Sequence, residues 1–96
     1  MPQVRISVEA EEDIDRIAAY TTSKWRPRQT DRYLATLEDG FNLVAQNPAI
    51  GRPCDSIRAG LQRFEIGRHV VFYLVEPGGV LVVRILHQNM LPSNYI

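Results

Sequence analysis

Hydrophobic residues recur every three or four positions along two long segments in the first half of the chain. Between about Val8 and Trp25, one stripe collects the least polar side chains: Ala10, Ile14, Ile17, Ala18, Thr21 and Trp25. From about Arg28 to Gln46, a second stripe has the same spacing: Tyr33, Leu34, Leu37, Phe41 and Val44. Such spacing predicts two amphipathic helices. Because the break at Arg26-Pro27 is short, we expect them to form an antiparallel hairpin.

The ends of these helices carry local signals. Ser7 is placed to cap the first helix, and the acidic residues after it suit the positive end of the helix dipole. Asn47-Pro48 ends the second helix. Gly40 lies inside that helix, where glycine costs about 1 kcal/mol relative to alanine. We therefore expect another backbone, that of the first helix, to approach Gly40 closely.

The second half of the chain has the patterns of strands. After a loop at 47–60 come LQRFEI (61–66), HVVFYLVE (69–76) and VLVVRILH (80–87), separated by tight glycine turns. QVRIS (3–7) predicts one further short strand before the helices. The order is β-α-α-β-β-β, which predicts one α+β domain over residues 1–96, with two layers: a helical hairpin packed on an antiparallel sheet.

Two of the predicted strands are apolar on both faces, although two helices cover only one face. Alternation places Val70, Phe72 and Leu74 on one side of the sheet, and Val71, Tyr73 and Val75 on the other. A large exposed apolar face is unusual in a soluble monomer, so we favour a partner as the second cover. The alternative is that the loop 47–60 and the tail 88–96 fold over this face.

Charge and cysteine content limit the classes of function. The 96 residues have no net charge, so no overall basic field attracts nucleic acid, and no sequence-specific nucleic-acid binding is expected. Residues 49–96 carry five basic and three acidic residues, a net of +2. The single cysteine, Cys54, the absence of an apolar stretch long enough to span a membrane and the absence of a secretory signal predict a cytoplasmic protein.

Candidate catalytic chemistry is sparse. His69 and His87 are the only histidines, and neither they nor Cys54 have the short spacing of a metal site, so no metal and no cofactor are expected. Arginine, histidine and tyrosine side chains suit metal-free RNA cleavage, but they are scattered along the chain. Arg84 lies among apolar neighbours, where a structural pair with Glu65 or Glu76 is the alternative to a functional role.

One pattern extends over almost the whole chain. The run NPAIGRPCDSIRAGLQRFEIGRHVVFYLVE and the later VVRILHQNM resemble the ParE branch of the RelE/ParE toxins of bacterial type II toxin–antitoxin systems. This resemblance implies the same fold, poisoning of DNA gyrase without catalysis by the toxin, and neutralisation by a ParD-like antitoxin. The RelE branch cuts mRNA on the ribosome, which is the alternative function. A decayed toxin that only holds its antitoxin is a third possibility.

The resemblance also suggests site residues. Contacts with the antitoxin are predicted for eight residues: Trp25, Tyr33, Leu37, Arg58, Arg63, Arg68, Phe72 and Tyr73. For the five apolar and aromatic residues among them, a place in the core is the alternative. Contacts with the target are predicted for Arg84, His87 and Asn89. The alternative nuclease would use Arg63, Arg68, His87 and Tyr95. Many ParE relatives read HQRMD where this chain reads HQNML at 87–91, so Asn89 and Leu91 each replace a charged residue. This difference predicts weaker target binding or a changed antitoxin preference.

Overall fold

The computed structural model describes residues 2–96 and confirms the α+β class, with both helices on one face of a sheet. The elements are β1 (Gln3–Ile6), α1 (Val8–Lys24), α2 (Pro27–Gln46), β2 (Arg52–Pro53), β3 (Leu61–Ile66), β4 (His69–Glu76) and β5 (Gly79–His87). The predicted order of elements holds, with the two-residue strand β2 as an addition. Neither helix within residues 2–96 is long and apolar enough to cross a membrane.

The sheet has five strands in the order β1-β5-β4-β3-β2, and it is not purely antiparallel. β1 pairs with β5 in parallel, with Gln3 opposite Gly79 and Ile6 opposite Val82, whereas all the other pairs are antiparallel. The crossover from β1 through both helices and back to the sheet makes this parallel pair possible. Pro53 lies in β2 at the sheet edge, where a missing backbone N–H is tolerated.

Ser7 joins β1 to α1. Its hydroxyl oxygen accepts a hydrogen bond from the Ala10 N–H at 3.0 Å, which confirms the predicted helix cap. The same hydroxyl donates to the Val83 carbonyl at 2.7 Å, and the Ser7 N–H donates to the Val82 carbonyl at 3.0 Å. One residue therefore both starts the helix and extends the pairing of β1 with β5.

The expectation for Gly40 was wrong in its partner. A Cβ atom at Gly40 would lie 2.1 Å from the Cδ1 atom of Ile66, so a β3 side chain occupies this space rather than the backbone of α1. Ile66 is buried in the core between the helices and the sheet. The glycine thus allows α2 to pack closely against the sheet.

The second face of the sheet is covered by the chain itself, so the preference for a partner there was wrong. Phe72 and Val70 pack in a second buried cluster with Cys54 from the loop, and Met90 and Ile96 from the tail complete the cover. Cys54 is buried, although its loop has the composition of an exposed segment. The loop and the tail therefore bury the apolar side chains that the helices cannot reach.

A β-bulge changes which side chains of β5 face the helices. Phe72 pairs with Arg84 and Tyr73 pairs with Val82, so two residues of β5 advance where β4 advances by one. Val82 and Ile85, three positions apart, consequently both reach the helix-side core. A bulge interrupts alternation and re-aims a side chain, which here is Arg84.

Arg84 binds Asp13 of α1, not Glu65 or Glu76. Its Nε atom donates to Asp13 Oδ2 at 2.8 Å, and its Nη2 atom donates to Oδ1 at 2.9 Å. Glu65 pairs instead with Arg52, and Glu76 with Arg5. The hydrogen bonds to Asp13 are the largest cause of the raised pKa of Arg84.

The Asp13 carboxylate is only 3% exposed and has further donors. The backbone N–H of Ile85 donates to Oδ2 at 2.9 Å, and Arg16 approaches from the next turn of α1. Asp13 thus gives the Ile85 N–H a hydrogen-bond partner on a part of the β5 edge that β1 does not reach. A buried carboxylate needs such partners, because its desolvation is costly.

We predict that Asp13→Ala lowers the free energy of unfolding by roughly 3–5 kcal/mol, because it leaves the partly buried Arg84 cation and the Ile85 N–H without their partner. Asp15→Ala is the matched control, since Asp15 is exposed on the same helix. That change should stay within about 0.5 kcal/mol of wild type. Urea unfolding measures both. Equal losses in the two variants would contradict the role given to Asp13.

Candidate functional site

An open groove lies where α1 continues past the end of β1. β1 pairs with β5 only as far as Ile6 and Val82, so the edge of β5 beyond that point has no neighbouring strand. The groove encloses about 690 Å³. Its lining comes from both helices, the β3–β4 turn, the start of β4, the end of β5 and the turn that follows it: Asp13, Arg16, Ile17, Tyr20, Thr21, Trp25, Gln29, Tyr33, Gly67, Arg68, His69, Ile85, His87 and Met90.

The walls of this groove are largely apolar, and its exposed charges are positive. Tyr20 and Trp25 are 64% and 55% exposed, which is unusual for such large side chains. Arg16 and Arg68 are exposed at its margin. The only acidic lining residue, Asp13, is buried and bound to both Arg84 and Arg16. An amphipathic ligand with aromatic or aliphatic anchors and acidic groups would complement this surface.

Polar atoms at the floor of the groove form a connected cluster. The Tyr33 hydroxyl is hydrogen-bonded to His69 Nδ1, and it accepts from the Arg68 backbone N–H at 3.1 Å. His69 lies directly across from His87 in the β4–β5 pair, with ring centres 5.4 Å apart. Burial, with a smaller contribution from His87, lowers the pKa of His69 from 6.5 to about 4. Burial also raises the pKa of Tyr33.

Three of the eight residues predicted to bind an antitoxin line this groove: Trp25, Tyr33 and Arg68. Arg58 is exposed in the loop before β3. Arg63 lies partly buried with its guanidinium 5.6 Å from the centre of the Phe72 ring, outside the groove. Of the three predicted arginines, only Arg68 therefore lies in the groove.

The prediction that Leu37, Phe72 and Tyr73 contact the antitoxin was wrong for this conformation, because each is at most 1% exposed. Tyr73 has a structural role that accounts for its burial. Its hydroxyl donates to the Pro48 carbonyl at 2.7 Å and accepts from the Gly51 N–H at 3.1 Å. It therefore fixes the loop that follows α2, and a partner cannot reach it in this conformation.

The predicted target-binding residues have different environments. Arg84 is not free to contact a target, as was predicted. It is bound to Asp13, and its Nη1 atom donates to the Tyr95 carbonyl at 2.8 Å. His87 lines the groove, and Asn89 is exposed in the turn that follows β5. His87 and Asn89 thus remain accessible near one end of the groove.

The structure does not gather the four residues of the alternative nuclease site. Arg68 and His87 both line the groove. Arg63 packs over Phe72 on the second face of the sheet, and the Tyr95 ring lies 5.8 Å from the guanidinium of Arg84. A metal-free cleavage site needs its base, acid and cations around one phosphate.

Comparison with known proteins identifies the family. The family model described as ParE toxin of type II toxin-antitoxin system, parDE, matches residues 4–92.

The chain belongs to the ParE toxin family.

Named relatives of this family support the assignment over most of the chain. Toxin ParE1 of Caulobacter vibrioides is 37% identical over 90 residues, which cover 94% of this chain and 93% of that protein. Toxin ParE1 of Mycobacterium tuberculosis is 38% identical over 86 residues, with 88% of each chain covered. Toxin ParE of Escherichia coli is 34% identical over 86 residues, covering 88% of this chain and 84% of the relative.

A solved structure shares the fold. It is titled the chromosomal ParDE TA system from P. aeruginosa, and it matches with a TM-score of 0.77. The match covers 91% of this chain and 96% of the other, at 15% identity. At that identity the likeness supports the two-helix, five-stranded architecture and no residue role.

Several groove residues were missed by the sequence patterns. Tyr20 and Arg16 lie outside the apolar stripe of α1, so the stripe gave no reason to assign them to a site. The stripe itself gave a partial signal, since it runs on to Trp25, beyond the part of the helix that the sheet covers. His69 and His87 lack the short spacing of a metal site along the chain, so the sequence did not indicate that they form a pair. Strand register places them opposite each other.

We expect His69 to make the stability of the fold depend on pH. Between pH 6.5 and about 4, the unfolded chain binds a proton at His69 that the folded chain does not bind. Stability should therefore fall as the pH is lowered through this window, and His69→Gln should reduce that fall. NMR titration of the His69 ring, with urea unfolding at pH 7 and pH 5, measures both effects. A His69 midpoint near 6.5 would contradict this prediction.

Proposed function

We propose that this chain is the toxin of a type II toxin–antitoxin system and that it inhibits DNA gyrase by binding and stabilising the cleaved DNA complex. The observation that carries this proposal is the ParE family match over residues 4–92. The toxin acts in the cytoplasm, does not itself cleave nucleic acid and is neutralised by a ParD-like antitoxin. The dispersal of the four candidate nuclease residues is consistent with a protein that works by binding.

The groove along α1 is the proposed seat of the antitoxin. Tyr20 and Trp25 offer aromatic surface that the fold leaves exposed, and large aromatic side chains are frequent anchors of protein interfaces. Arg68 at the margin suits an acidic residue of a partner, because guanidinium groups bind carboxylates in bidentate pairs. Arg16 is paired with Asp13, but it is exposed and its remaining N–H groups can donate to a second carboxylate. An amphipathic antitoxin segment with acidic residues beside its apolar face would meet both requirements.

The proposed contacts with gyrase lie at the end of β5. His87 lines the groove, and Asn89 follows it in the exposed turn. An antitoxin segment in the groove would cover His87 and approach Asn89. Neutralisation by direct overlap with the target-binding residues is therefore the simplest arrangement, and it requires no change in the toxin fold.

Purified gyrase provides the direct test of the proposed target. Supercoiling of relaxed plasmid should decrease and cleaved plasmid should accumulate as the toxin is added, and the antitoxin should reverse both effects. Absence of inhibition and of cleaved complex at excess toxin would contradict the proposal. Cleavage of translated mRNA by the purified toxin, mapped by primer extension, would favour the alternative nuclease.

The residue at 89 provides a gain-of-function test of the same proposal. Because many relatives carry a basic residue there, Asn89→Arg should lower the toxin concentration that half-inhibits gyrase several-fold. Asn94→Arg is the matched control, since it adds the same charge at another exposed asparagine near the C-terminus. An equal effect of both variants would indicate a general charge effect and would remove Asn89 from the target surface.

Trp25→Ala should weaken antitoxin binding by at least about 10-fold, because an aromatic anchor at an interface contributes on the order of 2 kcal/mol or more. Val75→Ala is the control, since Val75 is 50% exposed and lies outside the groove. Calorimetric titration with the antitoxin measures both affinities. Unchanged affinity in Trp25→Ala would remove the groove as the antitoxin site, even if inhibition of gyrase is observed.

A further inference from the structure

Strand pairing brings the only two histidines of the chain into direct opposition. His69 and His87 are cross-strand partners in β4 and β5, and both are half-buried at the floor of the groove. Their ring centres are 5.4 Å apart and their planes are nearly perpendicular. Two imidazoles bound to one tetrahedral ion through nitrogen at about 2 Å would have ring centres about 5 Å apart. The observed distance between the ring centres is close to that value.

The inner nitrogen of His69 has the support that a metal ligand needs. Metal-binding histidines usually donate their second N–H to a fixed oxygen, which sets the tautomer and the ring orientation. Here His69 Nδ1 is hydrogen-bonded to the Tyr33 hydroxyl. That oxygen can accept from Nδ1–H as well as from the Arg68 N–H, and the Ile66 carbonyl, 3.5 Å away, is within reach of its own proton. His69 Nε2 is then free to bind an ion.

His87 requires one small change. Its Nδ1 atom accepts a hydrogen bond from the Asn89 N–H at 3.2 Å, so the neutral ring carries its proton on Nε2. Binding of an ion at Nε2 moves that proton to Nδ1 and releases the Asn89 N–H. Asn89 is exposed, so water replaces the lost partner. The exchange costs about 1 kcal/mol, which is small beside a bond between nitrogen and a metal ion.

We propose that His69 and His87 together bind a first-row transition-metal ion that favours imidazole, such as Zn²⁺, Ni²⁺ or Cu²⁺, through their Nε2 atoms. Among residues 2–96, no group of three or more His, Cys, Asp and Glu side chains is placed to hold a metal ion. The site is therefore open, with its remaining positions taken by water, and its affinity is moderate. This proposal does not depend on the identity of the toxin's target.

Some features around the two histidines favour the binding of an ion, and others oppose it. Because the pKa of His69 is lowered to about 4, protons do not compete for this ring at neutral pH. The same burial disfavours any cation, and Arg68 is near. The Met90 sulfur accepts from the backbone N–H of His87 at 3.3 Å, so a thioether lies close to this residue. A thioether favours softer ions, and this places Cu²⁺ and Zn²⁺ ahead of Mg²⁺ or Ca²⁺.

The experiment is calorimetric titration of the toxin, without a histidine tag, with Zn²⁺, together with electron paramagnetic resonance of the Cu²⁺ form. We expect one saturable site with nitrogen ligands, which is lost in His69→Gln and in His87→Gln. Tyr33→Phe keeps both ligands and removes the hydrogen bond to Nδ1, so affinity should fall about 10- to 100-fold. Gln29→Ala is the control within the groove lining and should bind as wild type does.

Two results would overturn the proposal. One is the absence of saturable binding by wild type up to millimolar Zn²⁺. The other is unchanged binding when both histidines are replaced, which would place the ion elsewhere. Circular dichroism checks that each variant is folded. If a histidine variant does not fold, the nitrogen ligands seen in wild type and the loss of affinity in Tyr33→Phe decide the question.

Discussion

The buried carboxylate of Asp13 is the interaction on which the shape of this toxin depends. It binds Arg84 through both oxygens and accepts from the Ile85 N–H on the edge of β5. β1 is too short to pair with this part of β5, so a side chain from α1 takes over where the strand ends. An exposed sheet edge invites pairing with another chain, and Asp13 accepts from a donor on this edge beyond β1. Helix and strand are thereby held at a fixed distance.

That distance creates the groove. A helix of 17 residues follows a strand of four, so α1 buries Ala10 and Ile17 but extends past the region that the sheet covers. Its last turns leave Tyr20 and Trp25 exposed above the end of β5. Arg84 also reaches the Tyr95 carbonyl, so the contact that positions α1 helps to hold the C-terminal tail on the other face. The groove and the covered face thus depend on one arginine.

Features governed by neighbouring residues were predictable from the sequence. The helical hairpin, the Ser7 cap and the strands after residue 60 all follow from spacing, capping and turn signals. Features that depend on distant residues were not. The bulge at Val83 and Arg84 has no local signature, and strict alternation would have placed Arg84 on the same sheet face as Val80 and Val82. The loop that buries Cys54 has the proline and glycine content of an exposed connector, so its apolar residues gave only a weak signal.

The candidate site shows the same division more sharply. All eight antitoxin-binding residues were predicted on the same grounds, yet Trp25, Tyr33 and Arg68 line the groove together. Leu37, Phe72 and Tyr73 are buried instead, and they are apolar or aromatic residues of the kind that cores also use. Residue type cannot separate these two uses, because an interface core and a protein core have similar composition. Exposure separates them, and exposure at Trp25 is set by where β1 stops rather than by its own neighbours.

The proposed antitoxin segment, the proposed gyrase contact and the proposed metal ion all converge on His87. Ligands that share a residue cannot be thermodynamically independent, and any coupling between two of them must be reciprocal. An ion at the floor of the groove would either supply an open coordination position to an acidic antitoxin residue or hold His87 away from gyrase. In the first case the ion tightens antitoxin binding, and in the second it weakens the toxin alone. The sign of the coupling between the ion and the antitoxin would show whether the open coordination positions face the antitoxin.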